Sequence, residues 1–541
     1  MKKIEIIILL VILFLSIFIY SHQLSSIPPG FYIDEAMPAY SAYSILKTAK
    51  DEYGKLLPVA FRFFGSYNTP LFIYSLVPAV SALGLSITTV RLTSVVFGIL
   101  LIPTIWFLIQ KMKISSGFIA LLGTFIFAIS PWNIFYARIG YEVTLAFFLS
   151  TLAATTLWLS FKNNKYLPIS ALLFSLATYA AYTQRFLVPI FLLFFLLVFR
   201  KQVFTKSNHK ALTRSLIIIL VTQIPNFFLL TTPAFFPKSD VSSSSYFLAK
   251  LVSYFSPRSL FFTPDPDPQR SIPELSTLYF WLVVPYIIGA IKLFQKPRLP
   301  QNKFILLLLF TAPIPASLTK DPFSTHRAMP LLLPVILIIT MGLETLSQKI
   351  KKYLFIPALI PLIVYSFLML YRGYFVLLPQ QRAMVWGAGV DKLAEYILSN
   401  PNSFFIIDTN RVKPPYAALA FYLAYPPEKF QKQVDQTIKN NYYQNPPFSN
   451  HFKFANLETR PINWGVDIYK KVILVGDNIA ISQTQAAEHS LEKVFEVKDP
   501  LDKIVFEAYK TNPKEKCLNS IQKDPLCEDI LSSVDNNTTQ N

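Results

Sequence analysis

A polytopic α-helical membrane protein with about eleven transmembrane helices, followed by an extracytoplasmic α/β domain, is the fold class that this sequence predicts. Three observations predict it. Of 541 residues, 53% are hydrophobic and only 15% are charged, an apolar excess for which a soluble fold has no use. The apolar residues come in long continuous runs rather than in alternation. Charge is divided unevenly as well: residues 1–377 hold 32 Lys/Arg against 12 Asp/Glu, whereas 378–541 hold 18 against 19. The net charge of +19 therefore belongs to the membrane part, where short basic loops hold the topology. Nucleic acid is excluded as a partner, because it needs a basic face on the soluble part.

The first run, Ile4 to Tyr20 after Met1-Lys2-Lys3, resembles a signal peptide without a small-x-small cleavage site. It reads as an uncleaved signal anchor with its N-terminus in the cytoplasm. Further runs follow at 92–109, 117–135, 143–161, 166–182, 186–199, 215–231, 277–294, 304–318, 328–347 and 353–377. The run 71–83 is short of the ~20 residues a span needs and is interrupted by Pro78, so it is expected on the outer surface. With that choice, every strongly basic short loop falls on the cytoplasmic side. All acids before residue 378 except Glu5 and Glu344 then fall outside. The membrane domain is 1–377, with a first outer loop at 21–90 carrying amphipathic helices and a second at 232–276. Loops of that length with acids and aromatics usually carry function.

An extracytoplasmic α/β domain is expected over 378–531. Phe404–Asp408 and Val472–Asp477 read as buried strands, and 391–398 and 483–493 as helices. The polar tail 532–541 is expected to be disordered. Cys517 and Cys527, an even pair on an exported domain, are a candidate disulfide. Zinc lacks further ligands in view.

Candidate chemistry gathers at the outer interface. Asp34 and Glu35 open a segment in which Ala36, Ala39, Tyr40, Tyr43 and Leu46 recur at helical spacing, so it can lie flat on a membrane. Asp34 is the candidate catalytic base; the competing reading makes it a helix cap, with Glu35 favouring the dipole. Arg91, Arg138, Arg185, His326 and Arg327 sit at span ends on the same side. Each arginine alone reads first as a snorkelling anchor. As a set, on the side that positive-inside topology disfavours for arginine, they point to a bound anion such as a phosphate. Glu142 either pairs with Arg138 along one helix face or contacts an acceptor or a metal. His326 is either a donor to a phosphate oxygen or an interfacial ring.

Asp34-Glu35, Asn68-Thr69-Pro70-Leu71, Arg91-Leu92-Thr93-Ser94 with Gly98, Ser130-Pro131-Trp132 with Arg138 and Glu142, Tyr179 to Arg185, and His326-Arg327 occur in an order that resembles glycosyltransferase family 39. These dolichyl-phosphate-mannose protein mannosyltransferases belong to the GT-C superfamily. The resemblance covers residues 1–377. It implies inverting transfer of a sugar from a polyprenyl-phosphate donor to a hydroxyl on protein, lipid or glycan at the outer membrane face. Asp34 falls on the family's base, with Glu35 supporting it. Glu142 falls on a second acid used for acceptor or metal, and the basic residues fall near the lipid phosphate. It fixes no cofactor, and leaves a divalent cation open as a candidate. The lumenal repeat domain of the eukaryotic members is missing between the spans, which leaves a lipid or glycan acceptor open. Competing classes are a lipid-linked-sugar transporter or flippase, and a non-enzymatic membrane scaffold. The first places ionisable residues near the bilayer midplane, whereas these spans are almost free of charge. The second leaves the grouped acids and arginines without a role.

Overall fold

The computed structural model describes residues 3–235, 246–321, 323–410, 416–444, 451–519, 525–528 and 530–531. The tail 532–541 and residues 236–245 of the second outer loop lie outside the described residues. The chain forms two compact units. The first is Met1–Ile27, Pro58–Leu378 and Tyr443–Asn445, and the second is Pro28–Leu57, Pro379–Tyr442 and Pro446–Asn541. Residues 28–57 of the first outer loop thus group with the C-terminal unit.

The chain begins with α1 (Lys3–Ser21), α2 (Ile33–Thr48), the hairpin β1 (Phe61–Phe63) and β2 (Ser66–Asn68), then α3 (Pro70–Leu83) and α4 (Ile87–Lys111). It continues with α5 (Gly117–Ile129), α6 (Pro131–Ala137), α7 (Glu142–Ser160), α8 (Tyr166–Ala180) and α9 (Tyr182–Val198). Among the described residues, five helices are long and apolar enough to cross a membrane, or six if the bent pair α5 and α6 is one span. Shorter apolar helices include α3, α8, α9 and Phe280–Gln295. With 14 residues, α3 spans about 21 Å at 1.5 Å per residue, less than the ~30 Å hydrocarbon core. Only 22% of the apolar window of α1 is buried, as a lipid-facing helix requires.

Local sequence explains the breaks. Pro131 forces Ser130 out of helical geometry to ψ 135°, and the Ser130 hydroxyl then accepts the Asn133 N–H to start α6, bending the pair by 54°. Farther on, Gly342 lets Met329–Lys349 pack closely on Phe280–Gln295: a Cβ there would lie 1.8 Å from the Pro285 carbonyl oxygen.

In the second unit, a six-stranded sheet has the order β4-β5-β3-β6-β8-β7, from β3 (Phe405–Ile407), β4 (Phe452–Phe454), β5 (Leu457–Thr459), β6 (Ile473–Gly476), β7 (Glu492–Lys498) and β8 (Ile504–Lys510). The central strands β5, β3 and β6 are parallel, with Phe405 opposite both Leu457 and Ile473; the outer strands are antiparallel. β3 and β6 are fully buried apolar runs, as central parallel strands must be. Ile406, Val472, Leu474, Ile481 and Tyr509 form a core on the sheet. Cys517 and Cys527 are joined by a disulfide.

The expectation that the Asp34 segment lies flat on a membrane is corrected. Ten of its residues, Glu35 to Ala42 with Ser44 and Ile45, are buried on every side of α2, which packs on the helices Tyr416–Tyr422 and Pro427–Gln433 of its own unit. Gly30 makes the entry to α2 feasible: at φ +84° it approaches 386–388 so closely that a Cβ would lie 2.5 Å from the Ala388 nitrogen.

Candidate functional site

In the first unit, the predicted arginines divide into two kinds. Arg138 ends α6, and its guanidinium donates to the carbonyl oxygens of Ile19, His22 at 2.6 Å and Ile27 at 3.3 Å. It lies 4.9 and 5.1 Å from the ring centres of Tyr374 and Phe375. Arg91 on α4 donates to the Leu24 carbonyl at 3.0 Å. Both arginines are 0% exposed. The Ile19 carbonyl is among the last of α1, which the helix leaves without N–H partners, and His22, Leu24 and Ile27 lie in the turns that follow. Arg185, at the start of α9, donates to the carbonyls of Ala234 at 3.2 Å and Phe235 at 3.0 Å and lies against the Tyr182 ring.

Arg327 and His326 differ from these. Arg327 pairs with Asp321 through Nη1, which also donates to Thr319 Oγ1 at 3.1 Å. His326 Nε2 lies 3.5 Å from Glu142, with the His326 ring stacked on Tyr136 and edge-on to Tyr141. Glu142 therefore does not take Arg138 as its partner, because the helix stops: α6 ends at Ala137, Arg138 is its cap, and α7 begins afresh at Glu142. The i,i+4 relation needs one continuous helix.

Around this segment is a charged cluster that sequence reasoning did not join. Arg270 lies 2.9 Å from Asp321, 3.4 Å from Asp265 and 3.3 Å from Asp267. Asp265 accepts both the N–H and the hydroxyl of Thr325, at 2.8 and 2.9 Å, and Thr325 Oγ1 also bonds the Tyr136 hydroxyl at 2.7 Å. Burial alone would raise the Asp321 carboxyl, but Arg270 and Arg327 hold it below the usual carboxylate range. For Asp265 burial wins over Arg270, and the carboxyl is raised. A cavity of about 20 Å³, room for a single water, opens among Trp132, Tyr136, Asp265, Arg270, Ser276 and Thr325. The signal was present in Asp265-Pro266-Asp267-Pro268-Gln269-Arg270, where proline punctuates acids beside an arginine.

Asp34 and Glu35 belong to the second unit. Asp34 is half-buried at the second position of α2, whose N-cap is Tyr32, so Asp34 is not the cap; a carboxylate there still favours the helix dipole. Glu35 is buried. The same unit holds two acids that sequence reasoning placed outside but gave no role. Asp51 accepts the backbone N–H groups of Tyr53 and Lys55 and the hydroxyl of Tyr442. Glu52 accepts from Ser41 at 2.9 Å, and burial, reinforced by the Asp51 charge, pushes it up to about 8. Gln431 ties this turn to α2 by donating to Ser44, Thr48 and the Asp51 carbonyl. Among the described residues, no three His, Cys, Asp or Glu side chains gather as a metal site.

No protein-family model and no curated protein matches this chain. Solved structures do. ArnT from Cupriavidus metallidurans in the apo state aligns over 92% of this chain and 97% of its own, with 13% identity and a TM-score of 0.57. ArnT bound to undecaprenyl phosphate aligns over 93% and 97%, with 13% identity and a TM-score of 0.54. The chain shares the fold of ArnT. At this identity the likeness is one of fold, and nothing in it singles out glycosyltransferase family 39. The shared fold includes the sheet-bearing second unit, since the alignment covers nearly the whole of both chains. The Archaeoglobus fulgidus oligosaccharyltransferase in the apo form aligns more loosely, at 14% identity and a TM-score of 0.47, over 95% of this chain and 75% of that one.

Proposed function

We propose that this protein is a membrane glycosyltransferase that moves a sugar from a polyprenyl-phosphate donor to a hydroxyl acceptor on protein, lipid or glycan. The observation that carries the reading is a fold shared end to end with ArnT, which has been crystallised with undecaprenyl phosphate. Eleven spans, a cytoplasmic N-terminus and an extracytoplasmic second unit complete the reading, on the distribution of basic loops. Arg327 and His326 are the donor-phosphate contacts best supported by their geometry, being partly exposed and held by side chains. Arg185 is a weaker candidate, and Arg91 and Arg138 are buried and donate to backbone carbonyls at and just after the end of α1. Glu142, beside His326, is the acceptor-side or metal-side acid.

Asp34 is the general base. A carboxylate takes the proton of the attacking hydroxyl, the hydroxyl oxygen bonds to the anomeric carbon, and the bond to the phosphate oxygen breaks with inversion. The phosphate leaves already charged, so it needs no acid; guanidinium groups stabilise it. Glu35 supports Asp34.

Membranes carrying wild type or Asp34→Asn at matched expression test the reading, with radiolabelled polyprenyl-phosphate sugars as donors. Transfer by the wild type and a loss of about 100-fold or more in the variant is the expected result. Transfer by the variant at the wild-type rate removes Asp34 from the chemistry, and absence of transfer by the wild type from any such donor removes the reading itself.

A further inference from the structure

Arg327 is gripped by one nitrogen only. Its Nη1 meets Thr319 and Asp321, and among the described residues no partner engages Nε or Nη2. Its side chain is 35% exposed, so the opposite edge of the guanidinium is open. The grip is itself anchored. Asp321 is fixed by Arg270, Arg270 by Asp265 and Asp267, and Asp265 by Thr325, two residues before Arg327. Asp321 and Thr325 are thereby tied into one network of carboxylates around Arg270.

We propose that Asp321 and Thr319 are positioning residues: they orient Arg327 so that its Nε/Nη2 edge presents two parallel N–H donors to an oxyanion of the donor's phosphate. This rests on the function proposed above. Pre-orienting a planar guanidinium removes the rotamer freedom that a phosphate would otherwise have to freeze out on binding. The charges make the idea sharp. Asp265, Asp267 and Asp321 are matched by Arg270, Arg327 and Lys250, whose ammonium donates to the Thr319 carbonyl at 2.6 Å, so these groups carry no excess of positive charge. If Asp321 acted only through its charge, removing that charge would tighten phosphate binding. If it acts by holding Arg327, removing it weakens binding.

Binding of undecaprenyl phosphate to the detergent-purified full chain decides between these, with undecaprenol as the phosphate-free control. Asp321→Asn is expected to raise the Kd for undecaprenyl phosphate about five-fold and to leave that for undecaprenol unchanged. Thr319→Val, which changes no charge, is expected to raise the first about two-fold, with Thr319→Ser restoring it. Tighter or unchanged binding by Asp321→Asn overturns the proposal, as does an equal loss for both ligands, the mark of a merely structural role. If Asp321→Asn is not monodisperse, the Thr319 pair carries the test, and no difference between Thr319→Val and Thr319→Ser overturns it. Failure of the wild type to prefer the phosphate over the alcohol overturns the proposed function, and this inference with it.

Discussion

Arg138 and Arg327 are both arginines near the end of an apolar helix, and they are used in opposite ways. Arg138 is wholly buried, donates to carbonyl oxygens at and just after the end of α1, and lies against the rings of Tyr374 and Phe375. Arg327 is one-third exposed and held on one side by a hydroxyl and a carboxylate. A buried guanidinium that satisfies backbone carbonyls is part of the fold, because its removal strands those carbonyls away from water. A partly exposed one fixed by side chains costs little to the fold and remains available to a ligand. Position in the sequence does not separate these uses; the partners do.

The largest effect that would break this contrast is Arg138→Met. Three hydrogen bonds from a charged donor are lost, each worth about 1.5–3 kcal/mol, against a total stability of about 5–15 kcal/mol. Little monodisperse protein should be recovered on size-exclusion chromatography. A well-folded Arg138→Met with impaired transfer would instead place Arg138 among the ligand contacts. Arg327→Met is the reverse case. Its melting temperature should stay within about 2 °C of wild type, an exposed pair being worth about 0–1 kcal/mol. Sugar transfer should fall about 10- to 100-fold, the loss of one charged contact to a leaving phosphate.

How much of this was legible in the sequence follows from the range of each interaction. Long apolar runs and basic loops are local signals, and they foretold a polytopic membrane protein with a sheet-bearing C-terminal region. The strands at 405–407 and 473–476 stood out as short continuous apolar runs. Charged residues at the span ends were visible too, but not their partners. Arg138 meets carbonyls more than a hundred positions away, and Arg270 meets Asp321 across 51 positions. The segment 28–57 was misread for a related reason. The helical spacing of its apolar residues fits a membrane-surface helix equally well, whereas its partners, Tyr425, Gln431 and Tyr442, lie some 400 positions on in the second unit.

The acids repeat the lesson with smaller effects. Asp321 is held below the usual carboxylate range and Glu52 is pushed up to about 8. A raised carboxyl keeps its proton in the folded state while the unfolded chain has lost it. The folded state therefore binds more protons between about pH 4.5 and 8, and stability falls as pH rises through that window. Asp321 contributes oppositely, its share being present above the unfolded pKa and lost as the solution becomes acidic. Glu52→Gln, which keeps an acceptor for Ser41, should flatten the decline in melting temperature between pH 5 and 8 and raise it by a few degrees at pH 8.5, at about 2–4 °C per kcal/mol. Differential scanning fluorimetry of both proteins across pH checks this, and an unchanged pH slope would show that Glu52 is ionised in the fold.

The smallest effect concerns the disulfide, which belongs with Arg138 as a fold element rather than with Arg327 as a site element. Cys517 and Cys527 close a loop of only about ten residues, so the bond constrains the unfolded chain by no more than about 3 kcal/mol. Cys517 lies on the helix Pro513–Asn519, which packs on the turn Asp467–Tyr469 at the periphery of the sheet. Replacing both cysteines by serine should leave sugar transfer within about two-fold of wild type and accelerate hydrogen exchange only in the Pro513–Asn519 helix. The same pair also tests topology. A disulfide persists on the oxidising side of a membrane and is reduced on the other. In membranes from growing cells the two sulfurs should resist a maleimide until a reductant is added. Free thiols at that point would put the second unit in the cytoplasm, and with it the carboxylate of Asp34.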